Sequence, residues 1–169
     1  MKKYFLFLSL ILLCVSCIEP KEKITENSKE KINTFLDKWH KDAAETSFQS
    51  YFDAIADDGI FIGTDATENW NKKEFMAFSK PYFDKGKAWN FTALERNIYF
   101  SEDGKTSWFD ELLNTQMKLC RGSGVLVKEN NQWKIKHYVL SMTIPNETTN
   151  EVISIKSAIE DKIINEKKK

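Results

Sequence analysis

The chain has 169 residues, with 25 basic and 25 acidic side chains that give a formal net charge of +0 when both histidines are neutral. This length suits one domain with a single core, and hydrophobic residues at 41% are enough to build it. Because the charges balance, we expect no nucleic-acid partner.

The N-terminus has the pattern of a secretory signal peptide. Two lysines precede an apolar run over residues 4–15, which is too short to span a bilayer as a mature helix. The run ends in LLCVSC, which resembles a bacterial lipobox, where a small residue precedes the cysteine that is acylated. This resemblance implies that residues 1–16 are removed and that lipid on Cys17 anchors the protein to a membrane of the bacterial cell envelope. An anchor in either leaflet of the membrane is compatible with this sequence.

Residues 17–28 are polar and contain a proline, so they are predicted to form a flexible tether. Cys14 leaves with the signal peptide and Cys17 carries lipid. Cys120 is then the one cysteine left, and no intramolecular disulfide is expected.

Helices are predicted to come first in the domain. Apolar residues recur with a helical period between Ile32 and Ala43, and a second helical stripe continues from Phe48 to Ile55. A short strand is predicted over residues 60–63. Asn71 and Glu74 then have the spacing of a capping box, which predicts a helix that ends near residue 86.

Beyond residue 86 the apolar period changes to two. Strands are predicted over residues 88–100, 105–114, 117–128 and 132–144, and a last amphipathic helix begins at about residue 149. Helices followed by long antiparallel strands predict an α+β domain, in which a curved antiparallel sheet wraps around the N-terminal helices. The C-terminal helix and basic tail, residues 147–169, are additional to that domain.

Four segments carry a resemblance to a known family. FIGTDATENW, SWFDELL, RGSGVLV and NNQWKIKHYVLSMTIPN, in this order, resemble the nuclear transport factor 2-like superfamily, and within it the SnoaL-like branch, over about residues 29–146. The resemblance implies a cone-shaped, cystatin-like fold, a pocket between sheet and helices, and frequent dimerisation through the open sheet face. It implies no single function, because the superfamily includes isomerases, cyclases, dehydratases and transport adaptors.

Strand alternation selects the residues that face the predicted pocket. In WKIKHYV both lysines fall on one face, so His137 is predicted to point inward with Trp133, Ile135 and Val139. There it is either a proton carrier in a wet pocket or a core histidine bonded to a carbonyl or carboxylate. The same alternation places three apolar residues on the outer face as dimer contacts: Tyr138, Leu140 and Met142.

The segment TSWFDELL is ambiguous, because an aromatic residue, an acid and a leucine occur on both of its faces. If Trp108 points inward, Asp110 goes with it and needs a partner, for which Arg121 on the neighbouring strand is the candidate. Their contact is then a structural ion pair, or Arg121 orients a ligand with Asp110 as a base. Surface exposure is the third alternative.

Three further residues are candidates for ligand binding. In the family picture, residues 64–69 cross the mouth of the cone, where Asp65 and Glu68 approach the pocket and Arg121. Alternatively, Asp65 closes a turn with its own side chain and Glu68 is solvated. His40 lies at the edge of the first apolar stripe, which favours a rim or hydrogen-bonded position over catalysis.

The function predicted from these residues is binding of a small, partly apolar molecule in the cone. A dimerising interaction module is the alternative, followed by an acid–base enzyme that uses Asp110 or His137. No cofactor is expected. No metal site is expected either, because His40 and His137 are not spaced as ligands and Cys120 stands alone.

Overall fold

The structure is a computed structural model that describes residues 25–169. The predicted signal peptide, the lipidation site Cys17 and most of the predicted tether lie outside the described residues.

Two helices open the described chain. Helix α1 spans Glu26–Ala44 and helix α2 spans Phe48–Asp53. The predicted stripe of α1 is confirmed, since Ile32, Leu36 and Ala43 are fully buried. The helix begins three residues before the predicted domain boundary, inside the predicted tether.

A hairpin and a third helix follow. Strand β1 covers Ile55–Ile62 and strand β2 covers Asn69–Asn71, so residues 63–68 form the hairpin loop. Strand β1 begins earlier than predicted, because the segment expected to turn at residues 57–59 is a bulge within the strand. The capping box of α3, Lys72–Asp84, is confirmed: the Asn71 side chain accepts from the Glu74 N–H at 3.0 Å, and Glu74 accepts from the Asn71 N–H at 3.0 Å.

Four long strands complete the sheet: β3 Phe91–Phe100, β4 Thr106–Thr115, β5 Lys118–Glu129 and β6 Gln132–Met142. The order of all six strands in the sheet is β2-β1-β6-β5-β4-β3. The curved sheet packs around the N-terminal helices as a cone. The predicted α+β fold is confirmed. The sheet is mixed rather than wholly antiparallel, because β1 pairs in parallel with β6.

Aromatic side chains fill the cone. Tyr138 is fully buried and lies edge-on to Trp39 at 4.9 Å between ring centroids, while Phe61 and Phe75 stack at 3.9 Å. Burial of side chains this large contributes about 1.5–3 kcal/mol each. Space for a ligand is therefore left at the ends and edges of the cone rather than at its centre.

The inward orientation predicted for His137 is wrong. The pairing of β5 with β6 shifts by one residue between the Leu126–Ile135 and Val125–His137 pairs. A bulge of this kind reverses the alternation of all residues that follow it. Tyr138 and Leu140, predicted on the outer face, are therefore buried in the cone, and His137 is half-buried on the outer face.

The last helix, α4, covers Thr149–Lys167 after a 3-10 turn at Asn146–Thr148, as the sequence predicts. None of its residues is buried, and Ile155 is 79% exposed. Among residues 25–169, none of the helices combines the length and the apolar composition that a membrane-spanning helix requires.

Candidate functional site

A buried polar cluster lies on the inner face of the sheet against helix α1. Glu111 of β4 is at its centre, between the buried residues Phe109 and Leu113 of the same strand. Its side chain has no exposed surface. A buried carboxylate needs hydrogen-bonding or cationic partners, and this one has three.

Each oxygen of Glu111 is bound. Oε1 accepts hydrogen bonds from His40 Nε2 at 2.9 Å and from the Tyr138 hydroxyl at 2.9 Å. Oε2 accepts from Arg96 Nε at 2.8 Å. Arg96 Nη2 also lies 2.8 Å from Oε2, where its N–H is poorly aligned for a hydrogen bond, so this second contact is ionic.

Arg96 connects the cluster to helix α1. Its Nη1 donates to Asp37 Oδ1 at 2.8 Å and to the Asn33 side-chain oxygen at 3.2 Å. Asn33, Asp37 and His40 are spaced by four and three residues, so they form one polar line along the helix. The cluster therefore fixes α1 on the edge strand β3 and on β4.

The cluster keeps its carboxylate charged. Burial alone raises the pKa of the Glu111 carboxyl, but the hydrogen bond and electrostatic attraction of His40, together with Arg96, outweigh burial and hold that pKa below its usual range. Burial also raises the pKa of the Tyr138 hydroxyl well above its ordinary value, and the neighbouring Glu111 charge adds to the shift. Tyr138 is thus a donor and Glu111 an acceptor at neutral pH.

Gly122 of β5 makes room for the cluster. A Cβ atom at this position would lie 2.3 Å from the Tyr138 hydroxyl oxygen and 2.9 Å from Glu111 Oε1. Glycine within a strand often marks a place where another group packs closely, and Gly122 is such a place.

A second feature is an aromatic pocket at one end of the cone, which we call the mouth pocket. Its volume is about 100 Å³. Its walls come from the β1–β2 hairpin, α3, the connection from α3 into β3, the β4–β5 turn and β6. The residues that line it are Phe61, Gly63, Thr64, Glu68, Trp70, Phe75, Phe78, Trp89, Phe91, Gln116, Met117 and Leu140.

The two candidate residues of the β1–β2 loop, Asp65 and Glu68, have different environments. Asp65 closes an Asx turn, in which its Oδ1 accepts from the Thr67 N–H at 2.9 Å, and hydrogen bonds from Thr67 lower the pKa of Asp65. Glu68 is half-buried and lines the pocket. Among residues 25–169, no hydrogen bond or ion pair joins either of them to Arg121.

Three other candidates lie on the outer face of the sheet. Trp108 is 45% exposed, so the strand takes the orientation opposite to the one that would bury Asp110. Asp110 and Arg121 do pair, at 3.7 Å, but their side chains are 36% and 51% exposed. Of the seven candidate site residues, the structure places His40 in the buried cluster and Glu68 at the mouth pocket.

The sequence-based reasoning missed Glu111, Arg96 and Tyr138. One signal was present: the polar line of Asn33, Asp37 and His40 runs beside the apolar stripe of α1 and needs partners on the sheet. For metals, no group of three or more His, Cys, Asp or Glu side chains comes together within the described part of the chain.

A comparison with known protein families identifies the family of this chain, because one family matches most of the sequence. The SnoaL-like domain family matches residues 32–145. This chain belongs to the SnoaL-like domain family. The match covers α1 to β6 and ends before the helix α4 of this SnoaL-like protein.

Solved structures similar to this SnoaL-like domain share its fold at low identity. An NTF2-like protein of unknown function from Pseudomonas putida is 12% identical, with a TM-score of 0.62 over 75% of this chain and 94% of that one. A domain of unknown function with a cystatin-like fold from Nostoc punctiforme is 14% identical, with a TM-score of 0.62 over 86% and 100%. The association domain of C. elegans CaMKII is 17% identical, with a TM-score of 0.58 over 69% and 97%. Comparison with curated protein sequences finds no significant match.

Proposed function

We propose that this protein is a lipid-anchored SnoaL-like domain that binds a small, partly apolar molecule at the mouth pocket. The observation that carries the proposal is the open aromatic wall of this pocket. Ligand sites are usually apolar concavities with a few polar groups, and the mouth pocket has this makeup.

The size of the space limits the ligand to one or two rings. The mouth pocket alone, at about 100 Å³, is smaller than the ~150 Å³ cavity that accommodates benzene. Phe78, Trp89 and Gln116 also line an adjacent pocket of about 320 Å³. Together the two volumes reach the lower part of the range found for small-molecule sites, roughly 300–1,000 Å³.

Polar groups that line the mouth pocket favour a ligand with a hydrogen-bond donor. Glu68 and Gln116 supply acceptors there. Gly63 leaves room for the Glu68 carboxylate, because a Cβ at residue 63 would lie 2.2 Å from Glu68 Oε2. An apolar ring with one hydroxyl or N–H group fits this distribution.

The buried cluster favours binding over acid–base catalysis. An enzyme of the kind considered above needs a carboxylate that is free to take a proton. Glu111 instead accepts three hydrogen bonds and pairs with Arg96, and the pKa of its carboxyl is lowered. It is therefore a weak base and a strong structural anchor.

The test is binding of phenol, indole and 2-naphthol to the full chain in mild detergent, measured by isothermal titration calorimetry. We expect saturable binding that is weakened in Phe78→Ala, because Phe78 stacks on Trp70 at 4.4 Å and lines both pockets. Tyr99→Ala is the matched control, since Tyr99 is similarly exposed and lines neither pocket. No saturable response, or equal affinity in Phe78→Ala, would refute the proposal.

The membrane anchor is a separate part of the proposal, supported by the lipobox-like sequence that ends at Cys17. We expect Cys17→Ser to release the protein from membranes into the soluble fraction. Continued partition into the membrane fraction would contradict lipidation at this residue.

A homodimer formed through the outer sheet face is a second candidate, and an exposed aromatic pair favours it. Tyr99 and Trp108 stack at 5.9 Å and are 47% and 45% exposed. The similar CaMKII domain is described as an association domain. We expect Trp108→Glu to convert a dimer into a monomer in sedimentation experiments, whereas Ile155→Glu on α4 leaves the state unchanged. A parent protein that is already monomeric at micromolar concentration would exclude this candidate.

A further inference from the structure

A second concave site lies at the end of the sheet opposite the mouth pocket. The β4–β5 turn lines the mouth pocket, whereas this site is lined by the β3–β4 and β5–β6 turns, which lie at the opposite ends of β4 and β5. The first two turns of α1 form its remaining wall. We call it the lysine pocket, after Lys31 and Lys128 that line it, and its volume is about 160 Å³.

Both charged side chains that line the lysine pocket are cationic. Lys31 is exposed, and its ammonium group has no hydrogen-bond or ion-pair partner among residues 25–169. Lys128 Nζ lies 5.5 Å from the centroid of the Trp133 ring, and Trp133 lines the same pocket. Within the described part of the chain, no carboxylate lines the pocket, so its wall has a formal charge of +2.

The acidic residues of the two strand turns lie beside the lysine pocket and do not line it. Asp103 accepts hydrogen bonds from Ser101 Oγ at 2.6 Å and from the Lys105 N–H at 3.0 Å, so it is bonded within its own turn. Glu102 and Glu129 are exposed to solvent, which screens their charges. An anion inside the pocket therefore meets the two lysines at closer range than the acids.

Two neutral side chains add hydrogen-bond donors to the lysine pocket. Asn130 and Asn131 have positive φ angles of 48° and 64° and form the two-residue turn between β5 and β6. Asn131 lines the pocket, and its amide can donate. Ser28 lies one turn before Lys31 on α1. Its hydroxyl oxygen accepts from the Thr25 N–H at 3.2 Å, and its O–H can still donate.

This set of side chains has the chemistry that recognises a phosphate group. Lysine binds phosphate as a compact point charge, whereas the planar fork of arginine is the usual partner of a carboxylate. Phe100 lies edge-on to Trp133 at 6.1 Å between ring centroids, so an apolar wall lies beside the donors. The volume is similar to the ~150 Å³ that holds one benzene molecule, which leaves room for a phosphate and a few attached atoms.

The lysine pocket also lies at the end of the domain from which the proposed lipid anchor extends. Eight residue steps join Cys17 to Thr25 at the start of α1, and they span at most about 29 Å. With lipid on Cys17, this end of the domain is held near the phosphate groups of the membrane. A lipid headgroup is therefore the favoured source of phosphate, and this choice of source rests on the proposed anchor.

We propose that the lysine pocket is a binding site for a phosphate monoester group, which Lys31 and Lys128 contact as cations. Ser28 and Asn131 donate hydrogen bonds to its oxygens, and Phe100 and Trp133 contact the atoms attached to it. When a membrane lipid supplies the phosphate, the domain has two attachments to the bilayer at one end. The mouth pocket, at the other end, then faces away from the membrane.

The experiment records the indole N–H resonance of Trp133 in the ¹⁵N-labelled full chain in detergent. The chain has 5 tryptophans, and Trp133→Phe identifies this resonance. The probes are glycerol 3-phosphate, dihexanoyl phosphatidic acid, which carries the same phosphate on a lipid, and glycerol as the uncharged control. We expect both phosphates to shift the Trp133 resonance saturably, and glycerol at the same concentration to leave it unchanged.

Two matched variants separate the lysine pocket from a general attraction of charge. Lys31→Gln and Lys41→Gln each remove one positive charge from an exposed position on α1, and of these two lysines only Lys31 lines the pocket. We expect Lys31→Gln to weaken the binding of glycerol 3-phosphate at least about threefold, as loss of an exposed ion pair allows. Lys41→Gln should bind it as the parent does.

Three outcomes would overturn the proposal: no saturable shift with either phosphate, an equal response to glycerol, or equal weakening in Lys31→Gln and Lys41→Gln. Tighter binding of dihexanoyl phosphatidic acid than of glycerol 3-phosphate supports the site with a membrane lipid as its source. Equal or weaker binding supports it with a soluble phosphate monoester. None of these results depends on lipid at Cys17 or on the mouth pocket, so each part of the proposed function is tested separately.

Discussion

Two adjacent carboxylates on strand β4 each pair with an arginine, on opposite faces of the sheet. Glu111 and Arg96 lie 2.8 Å apart with side chains 0% and 5% exposed. Asp110 and Arg121 lie 3.7 Å apart with side chains 36% and 51% exposed. Both pairs join a carboxylate to a guanidinium; they differ in burial and in the further hydrogen bonds that Glu111 accepts from His40 and Tyr138.

Burial changes what each pair can do. Inside the cone, the charged state of Glu111 depends on its hydrogen-bonding and cationic partners. Loss of one partner leaves the remaining groups buried with no water to replace it. On the outer face, water and salt screen both charges, so the pair adds little to stability. The residues of the outer pair are therefore available to contact a second subunit or a ligand, whereas the inner pair stabilises the fold.

Arg96→Met is expected to have the largest effect. It leaves the Glu111 carboxylate buried without its guanidinium partner, which should cost about 3–5 kcal/mol in the free energy of unfolding. Urea unfolding of the full chain in detergent measures it. A loss below about 1 kcal/mol, the range of exposed pairs, would mean that the inner pair is not structural.

Gly122→Ala should have the next largest effect. The new methyl group would lie 2.3 Å from the Tyr138 hydroxyl oxygen. Tyr138 and Glu111 would both have to move away from it, at a cost of about 1–3 kcal/mol in stability. Ser123→Ala, on the half-buried outer face beside it, is the control and should change stability much less. Equal stability of the two variants would contradict the close packing assigned to Gly122.

The pH dependence of unfolding sharpens the contrast. The pKa of the Glu111 carboxyl is lowered from 4.5 in the folded state, so the unfolded state binds more protons between the two pKa values. The stabilisation is fully present above pH 4.5 and is lost as the pH falls through the folded pKa. Below pH 4.5 the parent should therefore lose stability faster than Glu111→Gln, by up to about 1.4 kcal/mol per pH unit. Parallel curves for the two proteins would show that Glu111 titrates normally.

Arg121→Met should have the smallest effect, about 0–1 kcal/mol, and raising the salt concentration should reduce it further. Chemical unfolding at low and high salt provides the measurement. A loss of several kcal/mol would mean that the outer face is covered in solution, as a dimer through that face requires.

Local signals in the sequence were sufficient for most of the fold. The helical stripe of α1, the capping box at Asn71 and the two-residue period of the long strands each depend on neighbours within a few residues. The family resemblance then gave their arrangement. The parallel partner of β1 was missed, because pairing between distant strands leaves no mark on local periodicity.

The candidate site was harder to predict for two physical reasons. Strand β4 carries Trp108 beside Phe109 and Asp110 beside Glu111, so its two faces have nearly the same composition. In β6, one bulge exchanged the faces of His137 and Tyr138. A single residue of register decides every contact beyond it.

The sequence by itself determined an α+β domain and the approximate limits of its three longest helices and its four long strands, but neither the full length of β1 nor the existence of β2. The tertiary structure alone decided which acid of the Asp110-Glu111 pair lies inside the cone. The reason is that a strand fixes only the alternation of its side chains, whereas the choice of buried face depends on partners far away in the chain. Here those partners are Arg96 on β3, His40 on α1 and Tyr138 on β6.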